Sequence, residues 1–235
     1  MIEFMSVVFK NDHDGACMGI RADSTAIYIE KGMHMTITQI IPYGKTRCRV
    51  LFDEGLALLF YKSELRRYGI TEGAELTEEY YKETIVPLFT GRAKERLVHL
   101  LEVSDKTESE LRRKLRESWY PQEAIDGAID WCKLKHYVDD ERYISNYLRN
   151  HADGKSKTKL RYDLLGKGID KELVDAYLED AQIDETSQVI AELMRRGYRD
   201  DMTPKERQRI VAALARKGYS WGTIQSCIHS DDLLL

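Results

Sequence analysis

One helix-turn-helix shape occurs three times in this sequence. The copies are Glu110 to Ile129, Lys159 to Leu178 and Arg209 to Ile228, and their apolar positions superpose without gaps. In the second helix of each copy, the matched positions recur at i, i+1, i+4 and i+5, which is one face of an α-helix. A further apolar stretch with similar spacing precedes each copy, so the repeating unit is predicted to contain three helices.

A three-helix unit of this size cannot bury three apolar faces by itself. Stacked neighbours must share a core, and self-similarity at a spacing of about 50 residues is typical of helical repeat arrays. Each buried Leu or Ile contributes roughly 1.5–3 kcal/mol, so an array can be stable where single units are marginal. The sequence therefore predicts a mainly α protein with three tandem three-helix repeats, at residues 93–138, 139–184 and 185–235.

The segment before the repeats has a different character. From Thr36, the stretches TITQIIPY and RCRVLFDEGLALLFY are rich in β-branched and aromatic residues, with an Asp-Glu-Gly hairpin turn at residues 53–55. These features predict a small N-terminal β-meander module with a short helix, over residues 36–76. Ser63 is expected to open that helix and Gly69 to close it.

Two stretches flank this β module. Residues 1–35 have no sustained period and are predicted to be a disordered tail. Because Glu-Lys-Gly at residues 30–32 can be encoded by a purine-rich stretch resembling a bacterial ribosome-binding site, we hypothesise that translation starts at Met33 or Met35. Residues 77–92 are predicted to be a helical linker that Pro87 ends or kinks.

The turn inside each repeat is predicted from its chemistry. Gly168 and Gly218 occupy the left-handed position that follows a helix, and a polar residue two positions later is placed to cap the next helix. In the first repeat Trp119 stands at the glycine position, where the left-handed conformation costs a non-glycine residue roughly 1–2 kcal/mol. We therefore expect a different turn there, with Pro121 starting the next helix.

Composition excludes several classes of protein. The formal net charge of -4 argues against a chain that coats nucleic acid or membrane by bulk attraction. No apolar stretch approaches the roughly 20 residues that span a bilayer, so we expect a cytoplasmic protein with no membrane contact. The cysteines form no C-x-x-C pair, which favours reduced thiols over zinc or disulfides. They are Cys17, Cys48, Cys132 and Cys227.

No motif with a catalytic or metal-binding mechanism stands out. Asp139 and Asp140, followed by Glu141, are interpreted as the capped start of a helix rather than as paired catalytic carboxylates. The YGKT stretch lacks the first glycine of a phosphate-binding loop, and NDHDG lacks the terminal ligands of a calcium loop. The histidines are not spaced along the sequence as metal ligands are. We therefore predict no enzyme activity, no cofactor and no metal.

The repeats carry a resemblance to a known family. YVDDERYISNYLRN and KTKLRYDLLGKGIDKELVDAYL, followed by RRGYRDD and RIVAALARKGYSWGTIQ, closely resemble the bacterial RecX regulatory proteins, and the resemblance covers about Ala93 to His229. The β module resembles the N-terminal extension of some longer members. The sequence departs from the family pattern at Lys106, at the pair Ser118-Trp119 and at His136, all in the first repeat.

The resemblance implies three tandem three-helix repeats and a function as a modulator of the RecA recombinase. Such proteins bind in the groove of the RecA filament on single-stranded DNA and change its ATP hydrolysis and strand exchange without doing chemistry themselves. The expected partner is thus the RecA filament, with inhibition as the expected effect, although a groove binder can also stabilise a filament. Direct binding of single-stranded DNA stays open, and a monomer is expected.

Basic residues collect on the middle helix of each repeat and its flanks, and we predict that they contact the partner. A solvated helix face is the alternative for each of them. The predicted contact residues are Arg112, Arg113, Lys114, Arg116, Lys155, Lys157, Lys159, Arg161, Lys167, Lys205, Arg207, Arg209, Arg216 and Lys217. Charge reversal at Lys157, Lys159 and Arg161 together is expected to weaken filament binding and to leave the helical content unchanged.

Four tyrosines in the repeats are candidates either for core packing or for contacts with a partner. Tyr143 and Tyr147 are assigned to core packing, whereas Tyr137 and Tyr162 stay open as stacking or anchoring residues.

The helix-turn-helix shape of each repeat is also the outline of a DNA-reading helix-turn-helix motif, whose second helix enters the major groove. The corresponding helix in the second repeat is acidic, and DNA phosphates would repel it. Direct DNA reading is therefore ranked below binding of the RecA filament and is kept as the alternative function.

Overall fold

The computed structural model describes residues 34–229. Most of the predicted tail at 1–35, and Met33 as a translation start, lie outside the described residues. The last two residues of the predicted tail, His34 and Met35, are described. They belong to the first strand, and Met35 is buried in the core. The β module therefore begins two residues earlier than predicted.

The described chain is mainly helical, with a small sheet at its N-terminal end. The sheet strands are β1 (His34–Tyr43), β2 (Arg47–Phe52), β3 (Ala57–Tyr61) and β4 (Glu75–Thr77). The helices are α1 (Lys62–Arg67), α2 (Glu78–Tyr80), a π-helical turn (Tyr81–Ile85), α3 (Val86–Val103), α4 (Glu108–Glu117), α5 (Gln122–Leu134), α6 (Asp140–His151), α7 (Lys157–Gly166), α8 (Lys171–Asp180), α9 (Glu185–Arg195), α10 (Pro204–Arg216) and α11 (Trp221–Ile228). The predicted three tandem three-helix repeats, α3–α5, α6–α8 and α9–α11, are confirmed.

The sheet is antiparallel, with the strand order β3-β2-β1-β4. Alternating residues point to one face and form the core of the module; Ile37, Val50 and Phe60 on this face are fully buried. The predicted hairpin turn is confirmed, with Gly55 at φ +78°. β4 was not predicted, because a strand of three residues is too short to show alternation in a sequence.

One predicted helix boundary in the module is wrong. α1 begins at Lys62, not at Ser63, because the Glu64 carboxylate accepts a hydrogen bond from the Tyr61 backbone N–H at 2.7 Å and moves the start upstream. Gly69 closes this helix at φ +64°, as predicted. Pro87 does not end the following helix.

The helix that begins after Thr77 continues through Pro87 to Val103. Thr77 caps its first turn, accepting a hydrogen bond from the Tyr80 backbone N–H at 3.2 Å. Directly before Pro87 the helix widens into the π turn at Tyr81–Ile85. Proline has no N–H and crowds the carbonyl four residues earlier, and a π turn changes the hydrogen-bonding pattern at that point. The helix accommodates the proline by changing its winding.

Contacts divide the described chain into two compact units. The first contains residues 34–104 and 111–138, which are the β module and most of the first repeat. The sheet has a buried cluster of apolar residues around Phe60 and Phe89. The repeat has a second buried cluster around Leu97 and Leu115. Phe89 meets Phe60 edge to face with ring centroids 5.1 Å apart, so the helix α3 packs on the sheet.

The second unit contains residues 105–110 and 139–229, which are the start of α4 and the second and third repeats. The second repeat buries Ile144, Leu164 and Val174, and the third buries Val189, Leu214 and Ile224 at the matching positions. Upstream of the superposed copies, the middle helices of the second and third repeats differ in length. α7 begins three residues before Leu160, whereas α10 begins six residues before Ile210, so α10 is about one turn longer at its start.

The predicted glycine turns are confirmed, and the predicted exception is wrong. Gly168 and Gly218 have φ values of +76° and +90°, and Trp119 adopts the same left-handed conformation at +62°. Pro121 does not start α5 but occupies its N-cap, the position that Asp170 and Ser220 hold in the other repeats. The first repeat thus keeps the turn geometry that its sequence argues against.

Candidate partner-binding surface

The middle helices α4, α7 and α10 carry most of the cations predicted to bind a partner. Each begins at a hydroxyl: Thr107, Ser156 and Thr203 accept a hydrogen bond from the backbone N–H three residues later, at 3.2, 3.2 and 3.4 Å. A side-chain oxygen at this position satisfies a donor that a helix leaves free at its N-terminus. The hydroxyls therefore set where each basic helix starts.

Two of these hydroxyls also join one repeat to the next. Thr107 Oγ1 donates to the Lys167 carbonyl, and Ser156 Oγ donates to the Lys217 carbonyl, both at 2.7 Å. Both side chains are buried, and a buried polar group without a partner would be costly. Thr203, in the last repeat, is exposed and bonds within its own capping box. Sequence reasoning missed this junction, whose signal was a hydroxyl four residues before the first buried Leu in repeats one and two.

A carboxylate reinforces each junction. The Glu108 N–H, at the start of α4, donates to Asp140 Oδ1 at 2.9 Å, and the Lys157 N–H, at the start of α7, donates to Glu185 Oε1 at 2.7 Å. Both acceptors lie in the first turn of the next repeat. Asp139 caps α6, accepting from the Arg142 N–H at 2.9 Å, as predicted. The pair of aspartates at 139 and 140 therefore serves helix starts.

Two predicted contact arginines form matching ion pairs inside their repeats. Arg112 pairs with Asp126, and Arg161 pairs with Asp175 through two hydrogen bonds of 2.6 and 3.0 Å. The hydrogen bonds of Arg161 hold the pKa of the Asp175 carboxyl below its usual value. In both repeats the partners are 14 residues apart, a recurring spacing that could have revealed the pair. Val211 occupies the arginine position in the third repeat.

Lys155 and Lys159 are brought together on one carboxylate. Their ammonium nitrogens lie 2.9 and 2.7 Å from the oxygens of Asp163, and Tyr147 donates to the same carboxylate at 2.9 Å. Burial by itself would raise the pKa of Asp163, but the hydrogen bonds from Lys159, Lys155 and Tyr147 outweigh it and lower the pKa to about 2. One charge of this lysine pair is thus compensated by Asp163.

The lysines that end α7 and α10 are also ion-paired. Lys167 lies 2.8 Å from Glu110, and Lys217 lies 2.6 Å from Glu192. Glu192 also receives Arg195 at 2.9 Å and the arginine that follows it. The hydrogen bond from Arg195 is the main reason why the pKa of Glu192 falls to about 2. Three cations surround this one carboxylate, so the site keeps a positive balance.

The basic residues of α4 interact mainly along their own helix. Arg113 and Lys114 share Glu117, at 2.8 and 3.4 Å. Arg116 Nε reaches Gln122 Oε1 at 3.5 Å. Exposed pairs of this kind contribute little to stability, and a partner can compete for them at low cost.

Four of the predicted cations have exposed side chains without an ionic or hydrogen-bonding partner within residues 34–229. They are Lys157, Lys205, Arg209 and Arg216. Lys205, Arg209 and Arg216 recur at i, i+4 and i+11 on α10, which places them on one face of the helix, opposite the buried Leu214. We call these three residues the α10 strip. Arg207, on another face, donates to two backbone carbonyls at 2.7 and 3.3 Å.

The tyrosines divide as the sequence suggests. Tyr143 and Tyr147 pack against the core of the second repeat with their rings stacked, which confirms their assignment to packing. Tyr162 is 72% exposed, with the Lys159 ammonium 5.1 Å from its ring centroid. Tyr137 is half exposed and meets Trp131 edge to face. The two tyrosines that the sequence left open are therefore both exposed to solvent.

The described residues offer no assembled site for metal chemistry. Within 34–229, no three or more His, Cys, Asp or Glu side chains group so that they could hold a metal ion. Cys48, Cys132 and Cys227 are buried and form no disulfide among the described residues, and burial raises the pKa of the Cys132 and Cys227 thiols. Among the described helices, none has the length and apolar character needed to cross a membrane.

This arrangement defines a class of protein: a helical repeat protein with a small β module, whose candidate site is a binding surface of exposed cations. The family models agree with this class. Three of them match, described as the RecX first, second and third three-helix domains, at residues 93–132, 139–178 and 188–228. The chain belongs to the RecX family.

Relatives and solved structures are consistent with this membership. Regulatory protein RecX of Caldanaerobacter subterraneus subsp. tengcongensis is 31% identical over 62% of this chain and 75% of its own length. Regulatory protein RecX of Clostridium acetobutylicum is 29% identical over 61% of this chain and 68% of its own length.

Two crystal structures share the fold. A crystal structure of regulatory protein RecX covers 83% of this chain and all of its own at 22% identity and a TM-score of 0.56. The structure of RecX from Lactobacillus salivarius covers 62% of this chain and 97% of its own at 20% identity and a TM-score of 0.53.

Proposed function

We propose that this protein is a cytoplasmic, non-catalytic regulator that binds the RecA filament on single-stranded DNA and lowers its ATPase and strand-exchange activity. Membership in the RecX family supports the choice of partner. The observation that carries the choice of surface is the α10 strip, because its three cations are exposed and unpaired within the described residues. A monomer suffices for this function.

The α10 strip suits an extended acidic partner. Lys205 and Arg216 are 11 residues apart, which is about 16 Å along a helix. Cations that already hold a carboxylate must give up that partner before they bind another, whereas unpaired cations lose only hydration. The α10 strip is therefore a better contact surface than Arg112 and Arg161, whose charges are used inside their repeats.

Direct reading of duplex DNA by the last helix of a repeat receives less support. In the second repeat this helix is α8, and Glu172, Glu179 and Asp180 on it are exposed. Phosphates on both sides of a major groove would repel these carboxylates. The observations favour a protein that acts on the filament.

The experiment is ATP hydrolysis by preformed RecA filaments on single-stranded DNA, with this protein titrated from far below to above the recombinase concentration. We expect the natural protein to suppress hydrolysis well below equivalence, without reversal by added DNA. The variant Lys205→Glu/Arg209→Glu/Arg216→Glu is expected to need at least ten times more protein, because three attractive charges become repulsive.

A matched control changes the net charge equally on other helices. Lys135→Glu/Arg149→Glu/Lys171→Glu alters three exposed cations outside the middle helices and should suppress hydrolysis like the natural protein. Suppression by the α10 variant that equals the control would remove the α10 strip as the contact surface. No suppression by the natural protein at any ratio would refute the proposed function, and suppression reversed by added DNA would mean competition for the strand.

A further inference from the structure

The face of the sheet that points away from the core carries arginines between aromatic rings. Directly opposed residues on antiparallel strands share a face, and Arg47 pairs with Tyr43 of β1 and with Tyr61 of β3. This row, Tyr43-Arg47-Tyr61, is exposed, with the two tyrosines 46% and 42% accessible. We call it the sheet platform.

The geometry of the sheet platform suits stacking. Strands are about 4.8 Å apart, so the two tyrosine Cα atoms are separated by roughly 10 Å with an arginine between them. The Arg47 guanidinium carbon lies 5.4 Å from the Tyr43 ring centroid, and the Arg92 guanidinium carbon lies 4.8 Å from the Tyr61 ring centroid. Each ring therefore has a cation beside it.

A second row continues the cationic face. Arg49 follows Arg47 by two residues, about 7 Å along the strand, and points to the same face. Its guanidinium carbon lies 5.2 Å from the Trp119 ring centroid, and its Nε is buried without a hydrogen-bonding partner among the described residues. Arg47 has no carboxylate partner in that part of the chain. Arg47 is thus the arginine with unused hydrogen-bonding capacity at the surface, because the unpartnered Nε of Arg49 is buried.

Acidic residues are kept off the sheet platform. Neither the sheet platform nor the adjacent row Ile41-Arg49-Leu59, all within the described part of the chain, contains an acidic residue. Glu64 lies at the margin, where it accepts from the Tyr61 N–H and pairs with Arg92 at 3.2 Å. The acidic turn at 53–55 follows the other end of β2, about 20 Å along the strand from Arg47.

We propose that the sheet platform binds single-stranded nucleic acid, with bases stacking on Tyr43 and Tyr61 and a backbone phosphate at Arg47. Aromatic rings interleaved with unpaired arginines are the pattern by which open sheet faces hold an unpaired strand without reading its sequence. An acidic peptide would satisfy Arg47 but would leave the flanking rings without a function. The charge and the rings together therefore favour a nucleic acid strand.

This inference does not rest on the proposed function, because its assay contains no recombinase. The full-length protein is titrated into a fluorescein-labelled 20-nucleotide oligo(dT), and binding is followed by fluorescence anisotropy. Tyr43→Ala is expected to weaken binding at least five-fold, as for the loss of one stacked base. Tyr43→Phe keeps the ring and should bind like the natural protein, which distinguishes stacking from loss of a hydroxyl contact.

Arg47→Glu is expected to weaken binding at least ten-fold and to reduce the slope of log K against log salt by about 0.7, the change for one lost phosphate contact on a single strand. Two matched controls are Tyr162→Ala, which removes another exposed tyrosine beside a cation, and Arg149→Glu, which reverses an exposed charge on α6. Both should bind like the natural protein. Thermal unfolding of every variant checks that the fold is kept.

Three results would overturn the proposal. The natural protein could fail to bind the oligonucleotide, in which case binding of a fluorescent poly-glutamate peptide would assign the sheet platform to an acidic protein segment instead. Tyr43→Ala and Arg47→Glu could bind as tightly as the natural protein, which would place the strand elsewhere. Equal losses in the sheet variants and the two controls would show a diffuse electrostatic effect.

Discussion

The turn between the middle and last helices occurs in every repeat, but its left-handed residue differs between the first repeat and the other two. Trp119, Gly168 and Gly218 all have positive φ, at +62°, +76° and +90°. Backbone conformation is therefore shared, and it does not explain why two positions hold glycine and one holds the largest side chain.

The surroundings of the turn explain the difference. A Cβ added at Gly168 would lie 2.2 Å from Ser109 Oγ and 2.5 Å from Ser109 Cβ, and one added at Gly218 would lie 2.6 Å from Ser156 Oγ. Both serines belong to the helix start of the preceding repeat. Among the described residues, the β module and not another three-helix repeat comes before the first repeat, and the Trp119 ring lies against the Arg49 side chain of that module. Glycine is required at a turn that packs against the preceding repeat. At the turn of the first repeat a larger side chain fits, and only the strain of its left-handed backbone conformation remains.

The largest expected effect is at the docked turn of the second repeat. Gly168→Ala combines left-handed strain with a collision against Ser109, and we expect a loss of about 3 kcal/mol in the free energy of unfolding of the full chain. Gly197→Ala is the matched control: its φ is +67° with open space around it, so strain alone should cost about 1 kcal/mol. Urea unfolding followed by circular dichroism measures both. Equal losses would show that docking does not select the glycine.

The hydroxyl junction gives the next largest effect. Ser156→Ala removes both the cap of α7 and the buried hydrogen bond to the Lys217 carbonyl, and we expect a loss of about 2–3 kcal/mol. Thr203→Ala removes an exposed cap that bonds within its own turn and should cost about 1 kcal/mol. The same urea experiment compares them. A Thr203 variant as destabilised as the Ser156 variant would contradict the assignment of the extra energy to the junction.

Features governed by neighbouring residues were predictable from the sequence. The glycine turns and the caps at Asp170 and Ser220 were recognised because a cap or a turn involves only three or four consecutive residues. The apolar spacing likewise located the repeat helices. The π turn before Pro87 was not predictable, because a widened turn leaves no distinct residue pattern.

Features that depend on distant residues were missed, even where a spacing recurs in two repeats. The sequence placed Arg161 among the partner contacts and Asp175 on an acidic helix, whereas the fold joins them across two helices. Which cations stay unpaired is thus decided by packing, and packing leaves the α10 strip exposed. The sheet platform was missed for a similar reason, since Tyr43, Arg47 and Tyr61 become neighbours only through strand pairing.

The smallest expected effect tests the tolerant turn of the first repeat. Trp119→Gly relieves about 1 kcal/mol of left-handed strain but loses the packing of the ring on Arg49, which contributes a similar amount. We therefore expect the free energy of unfolding to change by less than about 1 kcal/mol, measured by urea unfolding as above. Trp119→Ala keeps the strain and loses the ring, so it should be less stable than Trp119→Gly. If glycine at 119 instead stabilised the chain by well over 1 kcal/mol, the ring would contribute nothing to the first repeat, and the turn would hold tryptophan for a reason other than stability.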